Sequence, residues 1–314
     1  MIAVTGATGH LGQWVVARLT ELGADVLSVS RRPTTSPTLD GIAWKRPVRA
    51  LSWDLTKPAA IAEVATTLRQ AEGVVHLAAF VPPDTARNHE GMATIHANVH
   101  GTINLLRALD GSRALRSLVL ASTFEVYGLP MELPIAESHP THPTTYYGAS
   151  KLAAEHYGNL FANHGDVAGC VLRMPAVYGP GDRVPRALGN FVRAAVAGQP
   201  LSVQGDGGDV RDLLYASDAA EAIALALSRG SRGVFNLGSG RGWSILEIAE
   251  AVGRAAGRPL LVNWVERAKP RVDYVLTNAR ARTEMGFEPR VGLDEGVRAQ
   301  LDWVRRSSLR RRDS

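Results

Sequence analysis

The sequence predicts an α/β fold, a doubly wound parallel sheet with helices on both faces, from three observations. Apolar stretches of strand length, MIAVT, VLSVS, GVVHLAA and SLVLAS, alternate with amphipathic helical stretches from the first residue onward. A glycine-rich turn, TGATGHLG, joins the first strand to the first helix. The 314 residues are 45% hydrophobic and 21% charged, which is enough apolar material for a large core. In such a sheet, ligands bind at the carboxyl ends of the strands.

The first strand and helix enclose a glycine motif made of Gly6, Gly9 and Gly12. Glycines let backbone amides approach a pyrophosphate, and the helix N-terminus adds partial positive charge. Because the motif follows a strand and opens a helix, it predicts a dinucleotide site of the Rossmann type. The alternative is that these are turn and packing glycines only. The other predicted cofactor residues of this turn are Thr8, His10 and Leu11.

The second strand ends at Ser30 and is followed by Arg31 and Arg32. An NAD-preferring protein usually places a carboxylate there, whereas two guanidinium groups could hold the 2′-phosphate of NADP. Surface arginines are the alternative interpretation. Asp54, in WDLT after the next short strand, could accept a hydrogen bond from the adenine amino group, or could be a solvated loop carboxylate. Leu55, the next residue, is also a predicted cofactor contact.

A predicted helix over residues 146–164 carries Tyr147 and Lys151 four residues apart, and therefore on one face. A tyrosine is a poor base at neutral pH, but a neighbouring ammonium and a positive nicotinamide ring both stabilise the phenolate. Thr123, after the strand SLVLAS, can hydrogen-bond the same substrate oxygen, with Ser122 as the alternative. These residues predict hydride chemistry on an alcohol or ketone.

After Leu172 the sequence becomes rich in proline and glycine, as in VYGPGDRVPRALG. Ser244 and Glu247 form a predicted capping box, and a closing amphipathic helix is predicted over residues 293–304. We therefore expect a mainly nucleotide-binding domain over 1–172 and a smaller C-terminal α/β substrate-binding lobe over 173–304, with some segments returning to the first domain. Residues 305–314 are expected to form a basic flexible tail.

Composition limits the partners and the compartment. The single cysteine, Cys170, cannot form an intramolecular disulfide, and no apolar run has the length of a membrane span. We therefore expect a cytoplasmic protein without a membrane partner. No nucleic-acid partner is expected, because much of the positive charge lies in an arginine-rich C-terminal tail that has no interleaved aromatic residues. His139 and His142 lie in a proline-rich loop without a carboxylate set, so no metal site is predicted.

Taken together, the motifs resemble those of the extended short-chain dehydrogenase/reductases, specifically the nucleotide-sugar epimerase/dehydratase family. The likeness covers nearly the whole chain, including TGATGHLG, HLAA, NVHGTINLL, STFEVYG, YGASK, LRMPAVYGPGD and VRDLLYASDAAEA. It implies a catalytic set of Thr123, Tyr147 and Lys151, a nucleotide-diphosphate sugar as substrate, and a homodimer built on helices 92–109 and 146–164. The resemblance also assigns Leu77, Ala78, Ala79, Asn98 and Pro175 to the cofactor, and Phe80, Phe124, Tyr178 and Arg211 to the substrate.

Some of these assignments have structural alternatives. Arg211 suits a diphosphate, but it could instead form an ion pair with Asp212. Tyr178 and Phe80 could be packing residues rather than ligand contacts.

Family likeness implies oxidation of a sugar hydroxyl, typically at C4, with Tyr147 as the base. Dehydratases of the family resemble STDEVYG, whereas here Phe124 replaces the aspartate, which argues against 4,6-dehydration. The retained Glu125 resembles the STSEVYG of glucuronate decarboxylases, so decarboxylation or C5 proton chemistry stays open. Glu125 could also only orient its loop.

The cofactor remains NAD or NADP at this point, since Arg31 and Arg32 favour NADP while self-recycling epimerases hold NAD. We predict a nucleotide-sugar epimerase. The alternatives are an NADPH-dependent keto-sugar reductase, a decarboxylase or dehydratase using Glu125, a reductase of a non-sugar ketone, and a non-catalytic cofactor sensor.

Overall fold

The computed structural model describes residues 1–83, 91–259, 261–267 and 270–310. Seven parallel strands form the main sheet in the order β10-β6-β5-β4-β1-β2-β3. This confirms the predicted doubly wound α/β fold. The strands of this sheet are β1 (Ile2–Thr5), β2 (Val26–Ser30), β3 (Val48–Ser52), β4 (Gly73–His76), β5 (Ser117–Thr123), β6 (Ala168–Met174) and β10 (Gly233–Asn236).

The described residues contain nine α-helices. They are α1 (His10–Glu21), α2 (Ile61–Leu68), α3 (Gly91–Thr94), α4 (Gly101–Leu109), α5 (Tyr146–His164), α6 (Ala187–Ala197), α7 (Ala216–Arg229), α8 (Ile245–Ala256) and α9 (Leu293–Arg310). Short 3₁₀ turns occupy Pro58–Ala60 and Phe124–Tyr127, and π-helical turns occupy Ile95–His100 and Ala281–Met285.

The two faces of the main sheet have separate apolar cores. On one face, α1 and α7 bury residues such as Val16 and Ile223 against Val4. On the other face, α2, α4 and α5 pack through residues such as Leu68 and Leu105. Central parallel strands are buried on both faces, so their sequences are continuously apolar. This is why VVH and LVLAS predict strands although apolar and polar residues do not alternate in them.

The second lobe holds the remaining strands, β7 (Ala176–Tyr178), β8 (Leu201–Gln204), β9 (Val210–Tyr215), β11 (Gly242–Ser244) and β12 (Val262–Val265). They form a three-stranded sheet, β11-β9-β7, and a two-stranded sheet, β12-β8. Its core lies among α6, α8 and α9, with Phe191, Val252 and Leu301 buried. The predicted capping box is confirmed, since Ser244 and Glu247 bond each other's backbone amides at the start of α8.

Three predicted helices can be compared with the structure. The helix over 146–164 is confirmed with those bounds. The segment predicted as a helix over 92–109 is helical from Gly91 to Leu109, but a π turn interrupts it. The closing helix continues to Arg310, so residues 305–310 are helical where a flexible tail is expected; arginine is a good helix former and suits the negative C-terminal end of a helix. No described helix is long and apolar enough to span a bilayer.

Candidate active site

The glycine turn has little room for any side chain. Gly6 has φ +69°, and a Cβ there would lie 2.7 Å from the Ala78 nitrogen. A Cβ on Gly12 would lie 2.2 Å from the Gly6 oxygen, so the helix start packs directly on the turn. These close approaches require glycine at both positions.

The start of α1 has no side-chain cap. Its N-cap is Gly9, which has no side chain to bond the first amides, and the first helical turn holds no acidic residue. Free amides and the positive helix end fit a dinucleotide pyrophosphate. His10 lies in this turn, and its buried Nε2 has no hydrogen-bond partner among the described residues. Burial, followed by the charge of Arg186, lowers the pKa of His10 to about 4.

The end of the second strand places the predicted NADP residues at the surface. Arg31 and Arg32 are both exposed. Asp54 accepts hydrogen bonds from the backbone and hydroxyl of Thr56, at 3.0 and 2.7 Å. Burial acts to raise the pKa of Asp54, but the Thr56 bonds and the charge of Arg31 outweigh it and lower that pKa. Leu55 belongs to the apolar core, so only its backbone could face a ligand.

Asn98, in the π turn, fixes the loop that follows β4. Its Oδ1 accepts from the Phe80 amide at 2.7 Å, and its Nδ2 donates to the Phe80 carbonyl at 3.1 Å. The same Nδ2 also donates to Ser150 Oγ at 2.9 Å on α5. Asn98 therefore holds the loop of Leu77 to Phe80 against the helix of Tyr147, a positioning role that its predicted cofactor contact did not include.

The three predicted catalytic residues are all buried at the carboxyl edge of the main sheet. Thr123 ends β5, while Tyr147 and Lys151 lie in the first turns of α5. Burial raises the pKa of Tyr147 to about 12, with Arg186 acting to lower it and Glu125 to raise it. Burial lowers the pKa of Lys151 to about 8. Desolvation thus disfavours the charged form of both groups.

Ser122, the alternative to Thr123, points elsewhere. Its hydroxyl donates to Glu155, on the opposite side of the strand from Thr123. Successive strand residues face opposite sides, so Ser122 is the wrong choice for a substrate contact.

Glu125 is tied to the start of the catalytic helix. Thr145 is the N-cap of α5, and its hydroxyl accepts from the Gly148 amide at 3.0 Å while donating to Glu125 Oε2 at 2.8 Å. Gly148 packs on the same turn, because a Cβ there would lie 2.5 Å from the Glu125 carbonyl oxygen. The carboxylate is therefore fixed beside the helix that carries Tyr147.

Two adjoining cavities lie beside Phe124, which directly follows β5. The cavity of about 620 Å³ is bordered by Phe124, Tyr178, Arg186 and Arg211. The one of about 1070 Å³ is bordered by Phe124, Glu125 and Arg211. Phe124 and Arg211 contribute to both, which places them at the junction.

The side chains of Arg211 and Tyr178 both contact other protein groups as well as the cavities. The Arg211 guanidinium donates to the carbonyls of Val210 and Val272 and lies 3.7 Å from Asp209. The suggested ion pair with Asp212 is therefore wrong: Asp212 is buried and accepts instead from Ser239 and Leu276. Tyr178 borders the smaller cavity, but its ring packs edge-on against Tyr215 and its hydroxyl lies against Gly296 of α9.

Several residues of the site were missed by sequence reasoning. Arg186 begins α6 and acts electrostatically on both His10 and Tyr147. Arg267 and Arg271 border the larger cavity and are paired with Asp209 and Asp273. Isolated arginines in loops carry no spacing signal, so only the fold could bring them to this cleft.

The fold and the site define an NAD(P)-dependent enzyme of the Rossmann type. The profile described as the NAD dependent epimerase/dehydratase family matches residues 2–238. The chain belongs to this family, which confirms the predicted resemblance.

Similar proteins include enzymes of known activity. The UDP-glucose 4-epimerase of Streptomyces lividans is 31% identical, over 91% of this chain and 90% of that protein. The crystal structure of the Thermotoga maritima UDP-glucose 4-epimerase with UDP-glucose superposes with a TM-score of 0.87 at 26% identity, covering 98% of this chain and 99% of the other. MoeE5, solved with UDP-glucuronic acid and NAD, has a TM-score of 0.83 at 30% identity, with the same coverage.

Proposed function

We propose that the protein is an NAD-dependent nucleotide-sugar 4-epimerase. The observation that carries the proposal is the buried set of Thr123, Tyr147 and Lys151, with Thr123 directly before Phe124 and Glu125 of the arginine-bordered cleft. The division into a nucleotide-binding domain over 1–172 and a substrate lobe over 173–304 is part of this proposal.

In the proposed reaction, Tyr147 takes the proton of the C4 hydroxyl and Thr123 hydrogen-bonds the same oxygen. When bound, NAD supplies the acceptor and donor of the C4 hydride. Lys151 lowers the cost of a phenolate at Tyr147 through its positive charge. Rotation of the keto-sugar exposes its other face, and return of the proton from Tyr147 completes the C4 epimer.

The proposed substrate is a UDP-sugar. Similar proteins that bind UDP-glucose or UDP-glucuronic acid support this choice. Arg211, Arg267 and Arg271 border the cleft and offer guanidinium groups that suit a diphosphate. Asp209 pairs with Arg211 and Arg267, and Asp273 pairs with Arg271.

Glu125 favours a second candidate, decarboxylation of a nucleotide glucuronate. Its carboxylate borders the larger cavity and is held by Thr145 beside Tyr147. Phe124 packs its ring on Tyr274 at 4.7 Å and supplies no acid for the elimination of water. Release of carbon dioxide from UDP-glucuronate distinguishes this candidate from epimerisation.

A keto-sugar reductase is the candidate that Arg31 and Arg32 favour. Both lie exposed after β2, where they could meet a 2′-phosphate. MoeE5 was solved with NAD, and this supports NAD as the cofactor of the epimerase proposal. Denaturing the purified protein and identifying the released dinucleotide separates the two: bound NAD supports the epimerase, and an empty site that prefers NADPH supports the reductase.

We also propose a homodimer. Large apolar side chains are exposed on the outer face of α5 and the neighbouring helical segment, and a second copy would cover them. They are Met92, Ile95, Tyr146, Tyr157 and Leu160.

A cytoplasmic location is proposed from the single thiol. Cys170 is free and buried, and burial raises the pKa of its thiol to about 12. Such a residue forms no structural disulfide and suits a reducing compartment.

The function is tested with Tyr147→Phe and wild type, each assayed on UDP-glucose and UDP-glucuronate. We expect wild type to form the C4 epimer of one of them, and the variant to lose at least about 10³-fold in turnover, the upper part of the range for a lost acid/base group. The dinucleotide content should stay unchanged. Retained turnover in the variant would contradict the role of Tyr147, and no epimer from either sugar in wild type would contradict the function.

A further inference from the structure

A buried ion pair lies directly behind the catalytic residues. The Glu155 and Arg173 side chains are 4% and 7% exposed, and Arg173 Nη2 lies 2.7 Å from Glu155 Oε2. Arg173 Nε also donates to both carboxylate oxygens, at 3.1 and 3.3 Å. The Ser122 hydroxyl donates to Oε1 as well. Every contact holds the carboxylate in one orientation.

This ion pair is connected to the proposed proton-transfer residues through the helix and the sheet. Tyr147, Lys151 and Glu155 follow one another at four-residue intervals on α5, so they form one buried stripe. Arg173 on β6 is the register partner of Ser122 on β5, one residue before Thr123. Glu155 therefore lies one helical turn after Lys151 on the same face of α5.

Stability alone does not account for such a pair. Two charges removed from water lose much of their hydration, and apolar residues of similar size often give an equally stable or a more stable protein. A buried carboxylate beside a buried lysine has a different effect, because it favours the charged form of that lysine.

We propose that Glu155 is a positioning residue of the reaction, which acts through Lys151 by keeping its ammonium charged while Tyr147 exchanges a proton with the substrate. Arg173 and Ser122 hold the carboxylate in place for this task. The inference rests on the proposed function of Tyr147 and Lys151, and it adds a residue that does not touch the substrate.

The balance of charges around Lys151 agrees with this role. Burial lowers the pKa of Lys151 to about 8, and Glu155 acts to raise it. His76 on β4 stays neutral, because burial, and then the charge of Lys151, lowers its pKa to about 3. Among ionisable groups on the elements around the stripe, Arg186 at the N-cap of α6 and Glu125 on the 3₁₀ turn act on Tyr147. Arg173 on β6 pairs with Glu155.

The direct test follows the ionisation of Lys151 by NMR. The chain has four lysines, so protein labelled with ¹⁵N-lysine gives a simple spectrum, and the Nζ signal of Lys151 is assigned by its loss in Lys151→Met. In Glu155→Gln the Lys151 pKa should fall by about one pH unit, the shift that one close charge gives. The alkaline limb of the pH–turnover profile should move down by the same amount, because activity requires the charged lysine.

Arg173→Met gives the opposite change. It leaves the Glu155 carboxylate without its arginine, so the Lys151 pKa and the alkaline limb should both rise. If Glu155→Gln does not fold because Arg173 is left unpaired, the double variant Glu155→Gln/Arg173→Met is compared with Arg173→Met. The two differ only in the Glu155 charge, so the Lys151 pKa and the alkaline limb should both be lower in the double variant. The matched control is Glu221→Gln, which breaks the partly buried ion pair of Arg18 and Glu221 between α1 and α7. This variant should change neither the Lys151 pKa nor the alkaline limb of the pH–turnover profile.

The inference fails if Glu155→Gln and Arg173→Met lower turnover but leave the Lys151 pKa unchanged, as a purely structural pair would. It also fails if both variants shift that pKa in the same direction. The NMR titration is made on protein without substrate, so it decides the role of Glu155 even when no epimer forms. Loss of epimerisation in wild type would contradict only the proposed function.

Discussion

At the residue scale, the site depends on side chains that perform two tasks at once. Thr145 bonds the Gly148 amide as the N-cap of α5 and also donates to Glu125. Its hydroxyl therefore fixes both the start of the catalytic helix and the carboxylate beside it. The four-residue spacing of Tyr147 and Lys151 was enough to predict them as a pair, because both lie on one helix. Thr145, Arg186 and Glu155 were missed, because their roles arise from contacts between distant segments.

Thr145→Val tests this double role. The variant should lose about 1 kcal/mol of unfolding free energy, the usual cost of a lost N-cap. Turnover should fall by roughly tenfold, which corresponds to about 1.4 kcal/mol in the barrier. Thr145→Ser keeps the hydroxyl and is the control, with both values near wild type. Denaturant unfolding and the epimerase assay measure the two effects; equal values for valine and serine would refute the role.

At the element scale, the glycine turn positions the start of α1 for the dinucleotide. The sequence motif predicted this turn well, because positive φ and close backbone approach restrict it to glycine. The π turn at Ile95–His100 was not predicted, since its extra residue per turn leaves the apolar pattern nearly helical. It places Asn98 where it bonds both the Phe80 backbone and Ser150.

Gly12→Ala should abolish dinucleotide binding. The new Cβ would meet the Gly6 oxygen at 2.2 Å, so the turn must move. Gly292→Ala is the control, because no atom of the described residues lies within 4 Å of its added Cβ. We expect NAD to bind the control normally and to be undetectable in Gly12→Ala by calorimetry. Wild-type affinity in Gly12→Ala would show that the turn does not hold the cofactor.

At the scale of the whole molecule, the sequence predicted the sheet and its two faces but not the boundary at the C-terminus. The basic run after residue 304 suggested a tail, yet α9 extends to Arg310. Helix propensity and packing of the preceding turns on α8 outweigh the charge repulsion there. The cleft that Arg211, Arg267 and Arg271 border could not be predicted in detail, because these arginines come from separate segments of the chain.

The proposed dimer predicts the effect of one surface charge. Leu160→Glu places a carboxylate on the exposed face of α5, where the leucine is 55% exposed in the single chain. The variant should be monomeric by light scattering after size exclusion. Leu246→Glu on α8 should leave the dimer intact. A wild type that is monomeric at all concentrations would contradict the proposed interface.

Global stability should fall in mild acid because of a buried histidine. His76 bonds Thr5 and Thr102 and stays neutral, since burial lowers its pKa to about 3. In the unfolded chain histidine binds a proton near pH 6.5. Its contribution to the free energy of unfolding is therefore present above pH 6.5 and decreases by up to about 1.4 kcal/mol per pH unit below it. In urea unfolding between pH 6.5 and 4, the free energy of unfolding should fall less steeply with decreasing pH in His76→Gln than in wild type. Equal slopes for the two proteins would refute this prediction.

The most direct test of the central claim follows the C4 hydrogen of the sugar. UDP-glucose carrying deuterium at C4 is incubated with the purified protein without added cofactor, and the products are examined by NMR. An epimerase that returns the same hydride predicts UDP-galactose with the deuterium still on C4. If no C4 epimer forms from this sugar or from UDP-glucuronate labelled in the same way, or if the label is lost to water, the account is contradicted.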